Sequence, residues 1–442
     1  MRIRDPIHGT LLLSDEERAV VDSPHFQRLR QLRQLGFGEM AFPGATHTRH
    51  GHSLGAMHLA GRLFHTVAEV AGLPTPVREH FSRAVRLAVL CHDLGHMPLS
   101  HASERIAPQR ATLKLPGWLG PSGDAQASHE DYTARIVLDS SLTPLLEARF
   151  GPLGLTPEAI VALIAGATPP EGLRFTHAGR DWTPLLRSLV SGELDADRMD
   201  YLLRDSFYTG VNYGRYDLDW IVSNLRPVAV GDRVHLGLTR PGVFAFEDFL
   251  LSRQHMFLAV YLHHTSVNFD HMLMRYHQEA EGEFSIPSDP EAFLHCDDVA
   301  LHAALRVSKN RWAQWIATRR PFKRIVQLTN RDDIGSLQPL QEALDAAGVE
   351  SFQVENEVQL SKYAREGINL FVVDDRTGDA VEVGDYTPLY ERFAGAVRLV
   401  RLFARPDQSA IARELVARHL PGNPRGDAAH LLRADTPSRS RS

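Results

Sequence analysis

Along residues 15 to about 280 the apolar positions recur at helical spacing. In HFQRLRQLRQLG, Phe26, Leu29, Leu32 and Leu35 form one stripe with arginines opposite, and Gly36 ends it. HSLGAMHLAGRLFHTVAEVAG repeats the pattern and stops at Gly72. Pro74 and Pro76 then break the chain before REHFSRAVRLAVLCHDLGH, a helix predicted to finish near Gly95 because Pro98 disfavours helix at the residue before it. Residues 107 to 128 carry prolines and glycines without periodicity and read as a loop or flap. A long helix is predicted from about 244 to 277. After residue 285 the texture changes: KRIVQL, SFQVEN and NLFVVDD read as short strands separated by the helical LQPLQEALDAAG. The prediction is therefore a mainly α protein, with an all-helical core over 1–285 and a small α+β subdomain over 286–405. Residues 406–442 form a helix and a polar tail, PGNPRGDAAHLLRADTPSRSRS, expected to be disordered. No internal repeat is visible.

Composition narrows the class. A length of 442 residues permits one large helical domain with appendages or two to three domains, and 43% hydrophobic with 23% charged residues is that of a folded globular chain. A net charge of −6 argues against a protein that coats nucleic acid. The chain has no apolar run of 18 residues, and MRIRDPIHGTLLL lacks the parts of a signal peptide, so no membrane contact and a cytoplasmic location are expected. Cys91 and Cys296 are too few for a disulfide framework and read as buried thiols. Histidine stands apart: 23 is high for this length, and His47, His50, His52 and His58 form one group while His92, His96 and His101 form another. Metal or proton-transfer chemistry produces such bunching.

The most informative stretch is LAVLCHDLGHMPLSH. An apolar helix ending in adjacent histidine and aspartate presents a nitrogen and a carboxylate donor about 100° apart around its axis, and one metal ion can take both. The pair alone is common. Here it is joined by the histidines of RHGHSLG at the start of another helix and by the carboxylate-rich GELDADRMDYLLRD downstream. Spacing does not choose between His50 and His52.

The set RxxHSLG, CHDLGHxPxSH and DxxRMDYLLRD resembles the HD-domain phosphohydrolases, specifically the deoxynucleoside triphosphate triphosphohydrolases. The opening DPIHG, followed by SPHFQRLRQLRQLG and FPGATHTR, is similar to the animal enzymes with SAM and HD domains and to bacterial dGTPases. The likeness is dense from about residue 3 to 280 and fainter to about 405. With DPIHG so near the start, no SAM domain is expected before it.

The resemblance implies an HD-domain metallohydrolase core with His52, His92, Asp93 and Asp197 as metal ligands. Two imidazoles and two carboxylates suit manganese, iron, zinc or nickel, and magnesium can accompany the triphosphate. It assigns Arg49, His96, Arg198, Tyr201 and Arg253 to the triphosphate, with Arg198 standing where lysine is usual. His101 is implied as the general acid for the leaving 5′-oxygen, with His129 beside it and Glu104 and Glu130 as carboxylates that orient or charge them. Gln34 and Asp205 resemble the residues that bind the 3′-hydroxyl, Leu35 is counted with them as substrate-binding, and Tyr261 resembles the aromatic that excludes ribose. Leu262 departs from the family glutamine, which leaves base preference open.

Asp22, Gln27 and Arg30 match part of an activator pocket, although His263 and His264 stand where a basic residue is expected. His47, His50 and His58 read as capping, solvated or core-packed residues. The implied activity converts a dNTP to deoxynucleoside and tripolyphosphate through metal-activated water attack at the α-phosphate, in a homo-oligomer (dimer or tetramer) with a possible nucleotide activator. The competing readings are another HD phosphohydrolase acting on nucleotides or cyclic nucleotides, and a nucleotide-sensing or nucleic-acid-binding protein on the same scaffold.

Overall fold

The computed structural model describes residues 1–121, 123–168, 172–330, 332–358, 370–389 and 397–420. The chain is mainly α, and its centre is the Arg49–Val70 helix, which packs against Thr75–Cys91 on one side and Ala196–Thr209 on another. Leu54, Met57, Leu59, Leu63, Phe64 and Val67 are all buried around this helix, so it is covered on most of its circumference. A helix clad in this way is a rigid mount for whatever its first turn carries.

The predicted Phe26–Leu35 helix is shorter than its stripe. It runs from Pro24 to Arg28, capped by Ser23, continues as a 3-10 turn over Leu29–Gln31 and then becomes extended. Tertiary partners replace the helical ladder: the Arg33 amide donates to Asp298 Oδ2 (2.8 Å) and the Gln34 amide to the His47 carbonyl (3.1 Å). Arg28, on the arginine side of the stripe, is buried rather than solvated. It donates to the carbonyls of Leu94, His96 and Cys296 and so clamps the HDLGH turn from behind.

The Thr75–Cys91 helix hands over to turns at His92–Gly95, close to the predicted stop. Gly95 is required there by close approach, because a Cβ would lie 2.1 Å from the His129 carbonyl oxygen and 2.3 Å from the Thr133 nitrogen. The Thr133 hydroxyl closes the junction, donating to the His92 carbonyl and accepting from the Gly95 amide, both at 2.9 Å. Leu99 and Ser100 follow in the left-handed region (φ 53° and 58°), with the Leu99 amide held by Asp298 Oδ1 at 2.7 Å.

Strands also occur before residue 285. Arg2–Asp5 and Gly9–Leu12 form an N-terminal hairpin, and Leu225–Val230 pairs with Arg233–Thr239 across a two-residue turn at Gly231 (φ 61°). Arg233–Thr239 then pairs in parallel with Leu370–Val373, so one sheet joins distant parts of the chain. The long helix predicted over 244–277 is interrupted. Val243–Met256 passes into a π turn at Phe257–Tyr261, and a new helix starts at His264 with the His263 ring accepting from the Thr265 amide. Such widened turns often redirect a side chain toward a site, and Tyr261 sits at the end of this one.

Toward the C-terminus Lys323–Thr329, Val397–Ala404 and Ser351–Val358 form an antiparallel sheet with Val397–Ala404 central. Leu337–Ala346 and Ser409–His419 cover one face, while Phe352 and Phe403 on the other meet Phe269, Trp312 and Phe322. Residues 421–442, the expected disordered tail, lie outside the described residues. Among the described residues, no single helix is long and apolar enough to cross a membrane.

Candidate metal centre and substrate cavity

His52 stands on the first turn of the Arg49–Val70 helix and is fully buried. Its Nδ1 bonds Asp200 Oδ2 at 2.8 Å, which leaves Nε2 facing Asp197 Oδ1 at 2.9 Å. His92 is oriented in the same manner: Nδ1 donates to the Val89 carbonyl (2.6 Å), and Nε2 lies 3.5 Å from the same Asp197 oxygen. Both Nε2 atoms are buried and, apart from this approach to Asp197, have no hydrogen-bond partner among the described residues. Two orphaned imidazole nitrogens converging on one carboxylate oxygen form a metal-ligand arrangement, and the ligand atoms of His52, His92 and Asp197 lie within 4.8 Å of one another.

Asp93 adjoins this group, with Oδ1 3.3 Å from His92 Nε2 and 3.2 Å from His96 Nε2, while Oδ2 accepts from the Arg49 guanidinium at 2.7 Å. The residues present fit a divalent ion of borderline softness.

The electrostatics agree with a cation site. Burial alone would lower the His52 pKa, yet the Asp197 and Asp200 carboxylates outweigh it and raise it to about 10. His92 is raised by Asp93 and Asp197 against the same burial. Asp93 and Asp197 move the other way: burial opposes ionisation, but Arg49 and the imidazoles hold Asp93 well below the usual carboxylate range, and His52 and His92 do so for Asp197. A metal ion takes the place of the protons that the imidazoles would otherwise hold.

A layer behind the ligands was not evident from sequence. Asp200 Oδ1 accepts from His8 Nε2 at 2.7 Å, and both Asp200 oxygens accept from Arg204, whose remaining nitrogen bonds Asp5 at 2.9 Å. DPIHG thus supports His52 through Asp200. Its signal was present in the sequence as Asp200 and Arg204 at i and i+4 on the face of Asp197. Gly55 is part of the same design, since a Cβ there would lie 2.1 Å from an Arg204 nitrogen and 2.2 Å from Asp200 Oδ1.

A cavity of about 360 Å³ opens beside these ligands. It is lined by Gln34, Leu35, Arg49, His92, Asp93, His96, His129, Glu130, Asp197, Tyr201, Asp205 and Tyr261, twelve of the residues singled out from sequence. Arg49 is pinned by Asp93 and by Ser100 Oγ (2.8 Å). His129 stacks on His96 with ring centroids 4.0 Å apart, and its Nδ1 bonds Glu104 Oε1 at 2.7 Å, so Glu104 stands behind it. Asp205 is fixed from two sides, by His47 Nε2 (2.7 Å) and the Tyr261 hydroxyl (2.8 Å). His47, read from sequence as a bland residue, therefore orients a cavity carboxylate. His50 and His58 are packed, His50 against Phe26 and His58 beside His8.

Other assigned residues lie elsewhere. Arg198 is directed to Glu193 (3.4 Å) and Asp195 (3.6 Å) and does not line the cavity. Arg253 is buried with its guanidinium 5.2 Å from the Phe257 ring centre. The His101 side chain lies outside the described residues. Asp22, Gln27 and Arg30 sit together away from the cavity, with Asp22 paired to Arg18, and Gln27 bonded to the Val21 carbonyl and to Arg30.

Comparison with known proteins locates the same region. The HD domain family matches residues 49–204 and the HD associated region matches 217–358. An uncharacterized protein of Methanocaldococcus jannaschii is 31% identical over 324 residues, 73% of this chain and 59% of that protein. The human deoxynucleoside triphosphate triphosphohydrolase SAMHD1 is 30% identical over 283 residues, 61% of this chain and 43% of the human protein. The chain thus spans about half the length of the curated relatives it matches. The crystal structure of a hypothetical protein from Aquifex aeolicus aligns with a TM-score of 0.73 at 25% identity, covering 94% of this chain and 99% of that one.

Proposed function

Since the chain belongs to the HD-domain phosphohydrolases, we propose that it is a metal-dependent dNTP triphosphohydrolase: dNTP and water give deoxynucleoside and tripolyphosphate, with the bond to the 5′-oxygen broken at the α-phosphate. The observation that carries this reading is one cavity lined by His92 and Asp197, with His52 buried directly behind them, and by a doubly held Asp205 with Gln34 and Tyr261. When bound, the metal supplies Lewis-acid polarisation and lowers the pKa of water.

The protein's own residues supply charge, orientation and proton transfer. Arg49, held rigid by Asp93 and Ser100, presents a guanidinium to phosphate oxygens, and Tyr201 lines the wall beside it. His96 extends the same polar wall. His129, oriented by Glu104, offers an imidazole toward the leaving oxygen, and His101 is the proposed acid on the adjoining loop. Asp205 keeps lone pairs free after bonding His47 and Tyr261, and Gln34 Oε1 is buried without a partner among the described residues, so either can accept the single proton of a sugar 3′-hydroxyl. The Tyr261 ring beside them narrows the space for a 2′-hydroxyl. Arg198 and Arg253 reach the triphosphate only by leaving their present contacts.

A homo-oligomer, with a nucleotide activator near Asp22, Gln27 and Arg30, belongs to the same reading. The test incubates purified protein with manganese and each dNTP and resolves products by ion exchange. Tripolyphosphate is expected. Orthophosphate or pyrophosphate in its place would overturn the proposal and favour another nucleotide phosphohydrolase.

A further inference from the structure

Contacts between rings order the cavity. His52 lies 6.5 Å from the Tyr201 ring, and Tyr201 lies 6.0 Å from Tyr261. Past Tyr261 the wall continues on the His264–Glu279 helix, where Ser266 and Asp270 stand one turn apart and both line the cavity. Side chains at this spacing share a helix face about 5–6 Å apart at Cβ. Leu35, Leu99 and Val260 provide apolar surface around the same cavity.

Neither polar side chain has a hydrogen-bond partner among the described residues. Ser266 is 6% exposed and its Oγ has no hydrogen-bond partner among the described residues. Asp270 makes no hydrogen bond or ion pair among the described residues. Burial pushes its carboxyl up to about 7, opposed only by the charge of Arg105, whose NH1 lies against Met274 Sδ. Unsatisfied polar groups in a cavity wall are costly to hold there and mark a place where a ligand completes them.

Resting on the function proposed above, we infer that Asp270 and Ser266 read the nucleobase and select guanine. Guanine presents N1–H and the 2-amino group as two donors on one edge, matching two carboxylate oxygens, with O6 beside them as an acceptor for the Ser266 hydroxyl. Adenine and cytosine place a donor next to an acceptor on that edge, and thymine flanks one donor with two acceptors. With Asp270 ionised, as it is at pH 8 where the comparison is made, each of them leaves a carboxylate oxygen opposed to a lone pair. Discrimination follows from the polar group left unpaired by the wrong base.

The test uses the full chain at pH 8 with dGTP, dITP, which lacks the 2-amino group, and dATP. Wild type is expected to favour dGTP over both in kcat/KM by about 10- to 100-fold, the usual range for a bidentate base contact. Asp270→Asn should bring the ratios close to one, mainly by loss on dGTP, and Ser266→Ala should lower the dGTP preference less. Equal wild-type use of dGTP and dITP overturns the inference, as does an unchanged base ratio in folded Asp270→Asn protein. If Asp270→Asn does not fold, the wild-type dITP comparison and Ser266→Ala decide. If wild type hydrolyses no dNTP, the reaction reading fails separately, and binding of non-hydrolysable dGTP and dATP analogues still decides: equal affinity sinks the guanine assignment.

Discussion

Asp200 fixes which nitrogen His52 turns to Asp197: its Oδ2 bonds His52 Nδ1 at 2.8 Å, so Nε2 is the nitrogen left for a metal. Asp200 is itself held by His8 and Arg204, and the whole arrangement is buried. Asp200→Asn keeps one oxygen but loses the charge that Arg204 requires. Outer partners of this kind typically contribute about 10- to 100-fold in metal affinity. A loss of that size is expected in manganese titration of the variant, together with a lower Tm. Unchanged affinity would show that His52 needs no support from Asp200.

The two neighbouring histidines separate cleanly. His50 packs edge-on to Phe26 at 5.1 Å, and burial lowers its pKa to about 4, while His52 faces Asp197. Metal analysis of purified His50→Ala protein should find occupancy near wild type. The same analysis of His52→Ala should find the metal largely gone, and the reverse result would reassign the ligand.

Close backbone approach makes Gly95 a structural requirement of the HDLG turn. A Cβ at Gly95 would lie 2.1 Å from a backbone oxygen, whereas one at Gly117 would meet nothing within 4 Å. Gly95→Ala should therefore destabilise the protein by about 1–3 kcal/mol or more through overpacking. Gly117→Ala should stay within about 0.5 kcal/mol, as expected of an open surface position. Thermal or denaturant melts compare the two directly, and equal stability would mean that the His129–Leu138 helix can move away without cost.

Much of this was legible in the sequence because periodicity and motif spacing are local. The helix carrying His52 stops just before Gly72 and the next stops at Cys91, a few residues short of Gly95, whereas most of the twelve residues that line one cavity were singled out by the family resemblance and not by spacing. What escaped was set by distant partners. The Leu29–Leu35 stripe does not stay helical because Asp298, 265 residues away, takes the Arg33 amide. The long helix predicted through Tyr261 breaks because the chain widens into a π turn there, which no periodicity announces. Arg28, on the arginine side of the stripe, is buried because three carbonyls of other segments converge on it. His47 bonds Asp205 from 158 residues away and Asp270 meets the cavity only through the fold, and neither relationship is written in spacing.

The Asp270 carboxyl gives a pH signature independent of catalysis. Burial raises its pKa from 3.8 to about 7 in the folded protein, with Arg105 opposing. Between those values the unfolded chain has released this proton while the folded chain keeps it, so stability falls as pH rises through the interval. Above about 7 both states are ionised and the loss is complete. Asp270→Asn cannot ionise and retains a neutral polar group of similar shape. The variant should therefore melt at a higher temperature than wild type at pH 8, with the gap closing toward pH 4. A gap that widened on acidification would require the carboxylate to be stabilised in the folded state, placing a cation or donor at Asp270. A functional carboxyl that costs stability in the free protein is the usual trade of a binding site, and a guanine nucleotide analogue should recover part of the difference in wild type at pH 8 but little in the variant.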